Sequence, residues 1–268
     1  VFPDRERGDV MQINSSITTY AANGLAVIGN YLDHSSTPSK QGLIVNPDTA
    51  TAFSSNYEIA WNEINGSGVD NMGHSHHCLY AASFSGSIHH NLIRVSGYGT
   101  PGSGTYFGIY GLSLLGTIHT NFIEVNAKDS YQAGIYYESP TVSGGPGVEI
   151  YHNTVVGMDG NIELGIKSAS GVSRVINNVV VSALTGIDAR LGCTYGSNGL
   201  QSCSIPVNAI NAVSLGGDVV GDLSLTDGVP DRSSRLQSAG IPTSFDRPST
   251  DFVLNSRGPL PTIGAVET

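Results

Sequence analysis

Ile88-His89-His90-Asn91-Leu92-Ile93 holds an aliphatic residue, two free positions, an Asn, one free position and a second aliphatic residue. The pattern returns at Val27/Asn30/Leu32, Ile59/Asn62/Ile64, Ile118/Asn121/Ile123, Ile150/Asn153/Val155 and Val175/Asn178/Val180. Successive Asn residues of the six copies stand 32, 29, 30, 32 and 25 residues apart. A single match is chance. Six in register are an internal repeat, and a period of this size predicts a solenoid.

The pattern also predicts the shape of one unit. Aliphatic residues five positions apart cannot both face inward on one uninterrupted strand, because side chains alternate with period two. A bend between them restores the phase. Asn tolerates a left-handed backbone and bonds its own main chain at such bends. Each unit therefore reads as a short strand, an Asn corner and a second short strand. Stacked units place the Asn side chains above one another, where their amides can bond along the stack.

Another strand signal recurs between the corners, usually Gly followed by an aliphatic residue. It reads Gly42-Leu43-Ile44, Cys78-Leu79-Tyr80, Gly108-Ile109-Tyr110, Gly134-Ile135-Tyr136, Gly165-Ile166-Lys167 and Gly186-Ile187-Asp188. Met11-Gln12-Ile13 fits as an earlier member. The expectation is an all-β parallel solenoid of about seven or more coils, each with at least two strands. Length variation between the strands maps to surface loops.

The I-x-x-N-x-I repeat and the Gly-Ile-Tyr strands resemble the right-handed parallel β-helix, pectate-lyase-like family of secreted carbohydrate-active proteins. The resemblance covers roughly residues 8–190. It implies a right-handed β-helix with a polysaccharide as partner. It does not choose an activity, since this fold carries lyases, hydrolases, epimerases, tailspikes and non-catalytic surface proteins. Asp251-Phe252-Val253-Leu254 and Ile263-Gly264-Ala265-Val266-Glu267 look like the closing segment of many secreted bacterial β-helix proteins, without the Ser-Pro-Ala-Ile-Asp stretch usual between them. The expected organisation is an N-terminal extension over residues 1–8, coils over 9–190, and irregular final coils with a C-terminal cap over 191–268.

Composition narrows the partners. The 268 residues carry a net charge of −10, with only 12 Lys and Arg. Nucleic acid is not expected, since phosphate binding needs clustered cations. No apolar run is long enough to span a membrane. The chain opens on Val1 rather than Met, which predicts a processed or excised segment, and the β-helix resemblance implies an extracellular or cell-surface setting. In that setting Cys193 and Cys203 are expected to form a disulfide, the alternative being two unrelated thiols. Cys78, at a position usually held by Gly, reads as a free, partly buried thiol.

Candidate site residues follow from strand phase. If Leu79, Ile109, Ile135, Ile166 and Ile187 face in, then Tyr80, Tyr110, Tyr136, Lys167 and Asp188 face out in one column. Strict alternation adds His76, Tyr106, Gln132 and Glu163 on one side of that column and Glu138 on the other. Aromatic faces with polar tips suit sugar rings, and a linear glycan would lie along such a stripe. Stacked Tyr residues that simply stabilise a sheet are the alternative. For a polysaccharide lyase, His76, Tyr80, Tyr110 and Lys167 would carry the base and the charge neutralisation. Tyr106, Tyr136, Glu138 and Glu163 would bind substrate. A hydrolase would use paired carboxylates. No cofactor is expected; calcium has no clear acidic cluster here. His74, His76 and His77 suggest a metal, but no separate set of ligands accompanies them. His89, His119 and Tyr151 hold equivalent positions and are expected to form an outward stack. A structural subunit of a fibre, tailspike or surface layer fits equally well. Residues 1–8 offer little to cover the first coil, which predicts an upstream domain or head-to-tail self-association there.

Overall fold

In the computed structural model the described residues are 11–15, 26–34, 41–47, 54–70, 75–82, 84–99, 105–112, 114–128, 131–138, 147–158, 162–169, 173–190, 192–226, 229–231, 233–237, 239–240, 251–255 and 262–266. Three parallel sheets of eight strands each account for nearly all their regular structure, and no helix is present among them. The first sheet takes Met11–Ser15, Gln41–Pro47, Ser75–Ala82, Thr105–Leu112, Tyr131–Glu138, Ile162–Ser168, Ala183–Ala189 and Ile205–Ala209. The second takes Ala26–Ile28, Ser54–Ala60, Phe84–His89, Leu115–His119, Val148–Tyr151, Arg174–Ile176, Thr194–Gly196 and Val213–Ser214. The third takes Tyr31–His34, Glu63–Asp70, Leu92–Gly99, Phe122–Lys128, Thr154–Gly157, Val179–Val181, Gly199–Gln201 and Val219–Val220. The chain visits the three in rotation, so each strand pairs with its counterpart one coil away. The fold is an all-β parallel solenoid.

The repeat maps onto that rotation. The Gly-aliphatic strands build the first sheet. The aliphatic residue before each Asn lies in the second, and the one after it in the third. Register keeps like over like: Ile59, Ile88, Ile118, Ile150 and Val175 form one column. Ile64, Ile93, Ile123, Val155, Val180 and Leu200 form another. Leu43, Leu79, Ile109, Ile135, Ile166 and Ile187 form the third. All three columns are buried in one continuous core. Fully burying each such side chain contributes ~1.5–3 kcal/mol.

The Asn corners form a continuous ladder. Asn121 donates from its backbone N–H and from Nδ2 to Oδ1 of Asn153, at 3.1 and 2.9 Å. Its Nδ2 also donates to the Ile88 carbonyl at 3.0 Å. Its own Oδ1 accepts from Asn91 N and Nδ2, at 3.1 and 2.9 Å. The same arrangement links Asn30, Asn62, Asn91, Asn121, Asn153, Asn178 and Asn198. The bend itself is placed differently from the expectation. The left-handed residue precedes each Asn: Gly29, Trp61, His90, Thr120, His152, Asn177, Ser197 and Gly217 have φ between 51 and 78°. The turn one residue earlier aims the Asn inward, where the ladder satisfies its amide. The turn residues share only this backbone conformation, so their identity varies.

The final coils after residue 190 keep the same rotation through the three sheets. Asn198 continues the ladder, and Asp218 ends it by accepting from Asn198 N and Nδ2 at 2.8 and 3.1 Å. A carboxylate accepts but cannot donate, so no further rung is called for. Cys193 and Cys203 are free thiols rather than a disulfide. The residues between them cross the second and third sheets, which leaves each thiol at a different corner of the coil. Cys78 is also free, and is buried in the core.

The C-terminal segment lies along the flank of the stack instead of across its end. Asp251 O bonds His90 Nε2, the Gly264 N–H reaches Asn177 O, and the Ala265 N–H reaches Thr154 Oγ1. Phe252, Ala265 and Val266 pack on Leu92, Phe122 and Val156 of the third sheet. Leu223, Leu236 and Ile263 pack on Val179 and Val181. The two ends of the solenoid differ. In the first coil the inward residues Val27 and Leu32 are 3% and 9% exposed. In the last, Val220 pairs with Leu200 and so faces inward, yet it is 49% exposed. The expected N-terminal extension, residues 1–8, lies outside the described residues.

Candidate functional site: the outer face of the first sheet

Tyr80, Tyr110 and Tyr136 stand in register on adjacent strands of the first sheet, followed by Lys167 and Asp188. The three Tyr residues are half-buried, with ring centroids 5.4 and 5.6 Å apart. Strand phase is therefore as expected from each Gly-aliphatic pair onward.

Before that pair the phase is reversed. Pairing passes from Phe107↔Ala133 to Ile109↔Ile135 with no partners assigned to Gly108 and Gly134. A Cβ added at Gly108 would lie 2.6 Å from Cγ2 of the core residue Ile123, and one at Gly134 would lie 2.3 Å from Val155 Cγ1. Gly and the following aliphatic residue thus both turn toward the core, and Cys78 fills the same inward place. Such a bulge shifts every side chain before it to the other face. Tyr106, Gln132 and His76 consequently point inward and are buried, with the His76 and Tyr106 rings stacked at 5.0 Å. This corrects their assignment to the outer stripe. Glu163 is the exception, since Ile162 takes the core position in its strand.

The residues turned to that side in their place are His77 and Phe107, each only 5% exposed because the Tyr rings cover them, and Tyr131 adds a further ring. His77 stacks on Phe107 at 5.1 Å and on Tyr80 at 5.9 Å. Phe107 stacks on Tyr136 at 4.8 Å and meets Tyr131 edge-on at 6.0 Å. Six rings on three adjacent strands form one platform. A Gly inside a strand pattern is a bulge signal, and it was the cue that would have placed His77 and Phe107 on the outer side.

Polar groups border the rings. The Tyr110 hydroxyl donates to Glu138 Oε2 at 3.2 Å. Lys167 Nζ sits 4.7 Å from the Tyr136 ring centroid and donates to the Tyr131 hydroxyl at 3.4 Å. Arg190 is bound to Asp188 at 2.8 Å, and Asn208 Nδ2 donates to the same carboxylate at 3.1 Å. Burial raises the phenol of Tyr80, and burial together with Glu138 raises that of Tyr110. The shift favours the protonated phenol in both, and that of Tyr110 is the donor to Glu138. Burial, with His76 beside it, draws His77 down to about 3, so its ring is neutral. Burial pushes the Glu163 carboxyl up while Lys167 pulls it back.

Other candidates resolve differently. His89, His119 and Tyr151 form the expected outward stack, with centroids 4.9 Å apart at each step. His74 lies outside the described residues. Among the described residues no three His, Cys, Asp or Glu side chains converge as metal ligands do, and no helix is long and apolar enough to cross a membrane. An open concavity of about 380 Å³ on the third sheet is lined by Asn65, Arg94, Glu124 and Met158. Its Arg94 is already held by Glu63 and Glu124, at 2.6 and 2.9 Å. No protein-family model and no curated protein matches the chain.

Proposed function

We propose that this protein binds an extracellular polysaccharide along the outer face of its first sheet. The single observation that carries the reading is the row of half-buried Tyr80, Tyr110, Tyr131 and Tyr136 rings on that face, backed by the buried rings of His77 and Phe107. Pyranose rings present flat C–H faces that pack on aromatic rings, while their hydroxyls accept from Tyr, Lys and Asn donors at the border. A parallel sheet repeats these rings at the coil spacing, so the site suits an extended chain rather than a compact ligand. Binding is preferred to lyase chemistry as the reading. Of the four groups expected to run an elimination, His76 faces inward and Tyr80 and Tyr110 hold their protons, which leaves Lys167 alone.

Affinity electrophoresis against a panel of soluble polysaccharides tests the proposal. Tyr110→Ala is expected to weaken retention about tenfold or more, as loss of a central aromatic anchor does, with folding checked by circular dichroism. Unchanged retention by a folded Tyr110→Ala protein would remove the site from consideration. Ultraviolet absorbance of unsaturated products, read on the same panel, reports any lyase activity.

A structural subunit is the second reading, and the last coil favours it. Val220 is 49% exposed, with Ile205, Val213 and Leu215 exposed nearby. Exposed strand edges beside apolar residues are templates for association. Sedimentation at rising concentration distinguishes the two, since an assembly subunit does not remain a monomer.

A further inference from the structure

The glycan-binding reading, on which this inference rests, does not by itself set the charge of the glycan. The border of the platform does. Among the described residues, five ionised side chains lie on this face: Glu138, Glu163, Lys167, Asp188 and Arg190. Arg190 is spent on Asp188, which is 3% exposed and also accepts from Asn208. Lys167 is drawn over the Tyr136 ring and onto the Tyr131 hydroxyl, with Glu163 nearby. Along the three strands that carry the rings, the only ionised group is Glu138, held beside Tyr110. The rings themselves bring no positive charge, because His77 is neutral and a phenol is never cationic.

A carboxylated sugar resting on Tyr110 would therefore meet Glu138 first, while Lys167, held by the neutral Tyr131 and Tyr136 side chains, lies further along the face. Like charges brought together in a partly dehydrated site cost several kcal/mol. An uncharged sugar meets only ring faces and hydrogen-bonding groups. We propose that the platform selects uncharged glycans and rejects polyuronates, with Glu138 and Glu163 as the discriminating side chains.

The test compares neutral polysaccharides (glucan, mannan, galactan and xylan) with polygalacturonate on the intact protein, at low and moderate salt. At least one neutral chain should bind, and polygalacturonate should bind about tenfold more weakly or worse. The weak polygalacturonate binding should improve as salt screens the repulsion. In the double variant Glu138→Gln, Glu163→Gln the ratio of polyuronate to neutral affinity should rise about tenfold. Polygalacturonate binding as tight as any neutral chain would overturn the inference and leave the glycan-binding reading intact. So would an unchanged ratio in the double variant. Should that variant fail to fold, the wild-type comparison and its salt dependence still decide. Binding of no glycan at all would remove the carbohydrate reading and this inference with it.

Discussion

Replacing one mid-stack ladder residue should unsettle several coils, and Asn121→Ala is the sharpest case. Asn121 is fully buried, and its side chain makes four hydrogen bonds, to Asn153 Oδ1, Ile88 O, Asn91 N and Asn91 Nδ2. In the Ala variant Asn153 keeps the Asn121 backbone N–H. The Asn91 N–H and the Ile88 carbonyl lose these partners, while Asn91 Nδ2 keeps the Ile59 and His89 carbonyls. A buried polar group left unmade costs about 1–3 kcal/mol, and partial relaxation limits the sum, so the loss should be on the order of 3–5 kcal/mol. Asn121→Asp should be no better. It keeps an acceptor for Asn91 but turns a second oxygen toward Ile88 O and Asn153 Oδ1, with no hydrogen to join them. Two changes at the ends calibrate the argument. Asn30 is only part-buried and donates to Asn62 at 2.9 Å, so Asn30→Ala should cost about 1 kcal/mol. Asp218→Asn should fall within about 1 kcal/mol of wild type, because that position only accepts. Urea unfolding followed by far-ultraviolet circular dichroism measures all four. An Asn121→Ala midpoint at the wild-type value, or an Asn30→Ala loss equal to that of Asn121→Ala, would refute the ladder as a stabilising device.

Three further outcomes are expected. His77 has its folded-state value lowered from 6.5 to about 3, by burial first and by His76 second. Its contribution is therefore complete above pH 6.5 and lost as pH falls toward 3, up to about 5 kcal/mol from the size of the shift; His77→Phe should flatten that acid limb in urea titrations. Gly134→Ala places a Cβ 2.3 Å from Val155 Cγ1 and 2.9 Å from Gly165 O, and should lower stability by at least ~1–3 kcal/mol, whereas an unchanged melting temperature would deny the inward bulge. Thr120 holds φ at 55°, a conformation unfavourable to a β-branched residue. Thr120→Asn should raise stability by about 0.5–1 kcal/mol, read as a later urea midpoint.

The solenoid was legible because its period is written in residues whose roles are local. An aliphatic residue at each strand and an Asn at each corner repeat at the coil length, and stacking follows once each unit has an apolar interior to cover. The ladder, the three columns of core residues and the outward register of Tyr80, Tyr110 and Tyr136 could all be read this way. The left-handed position could not. Trp61, His90, Thr120 and Ser197 share no side-chain chemistry, since only their backbone is constrained, and attention fell on the Asn beside them. The regularity of the final coils beyond residue 190 was hidden because the step shortens to 20 residues between Asn178 and Asn198 and again to Asp218.

By itself, then, the sequence determined the parallel coil, its interior and its corner ladder, because each depends on contacts between neighbouring repeats of one pattern. Tertiary structure decided the rest. The bulge at each Gly depends on Val155, Val180 and Ile123 crossing the interior from another sheet, and it turned His76 and Tyr106 inward while turning His77 and Phe107 to the outer side. The C-terminal segment lies on the third sheet because Leu92, Phe122, Val156 and Val179 leave an outer apolar strip there. No local pattern ties that strip to residues up to 161 positions away. Side chains that meet only through such long-range packing carry no periodic signal, and His77, Phe107 and Tyr131 join the three periodic Tyr residues in that way.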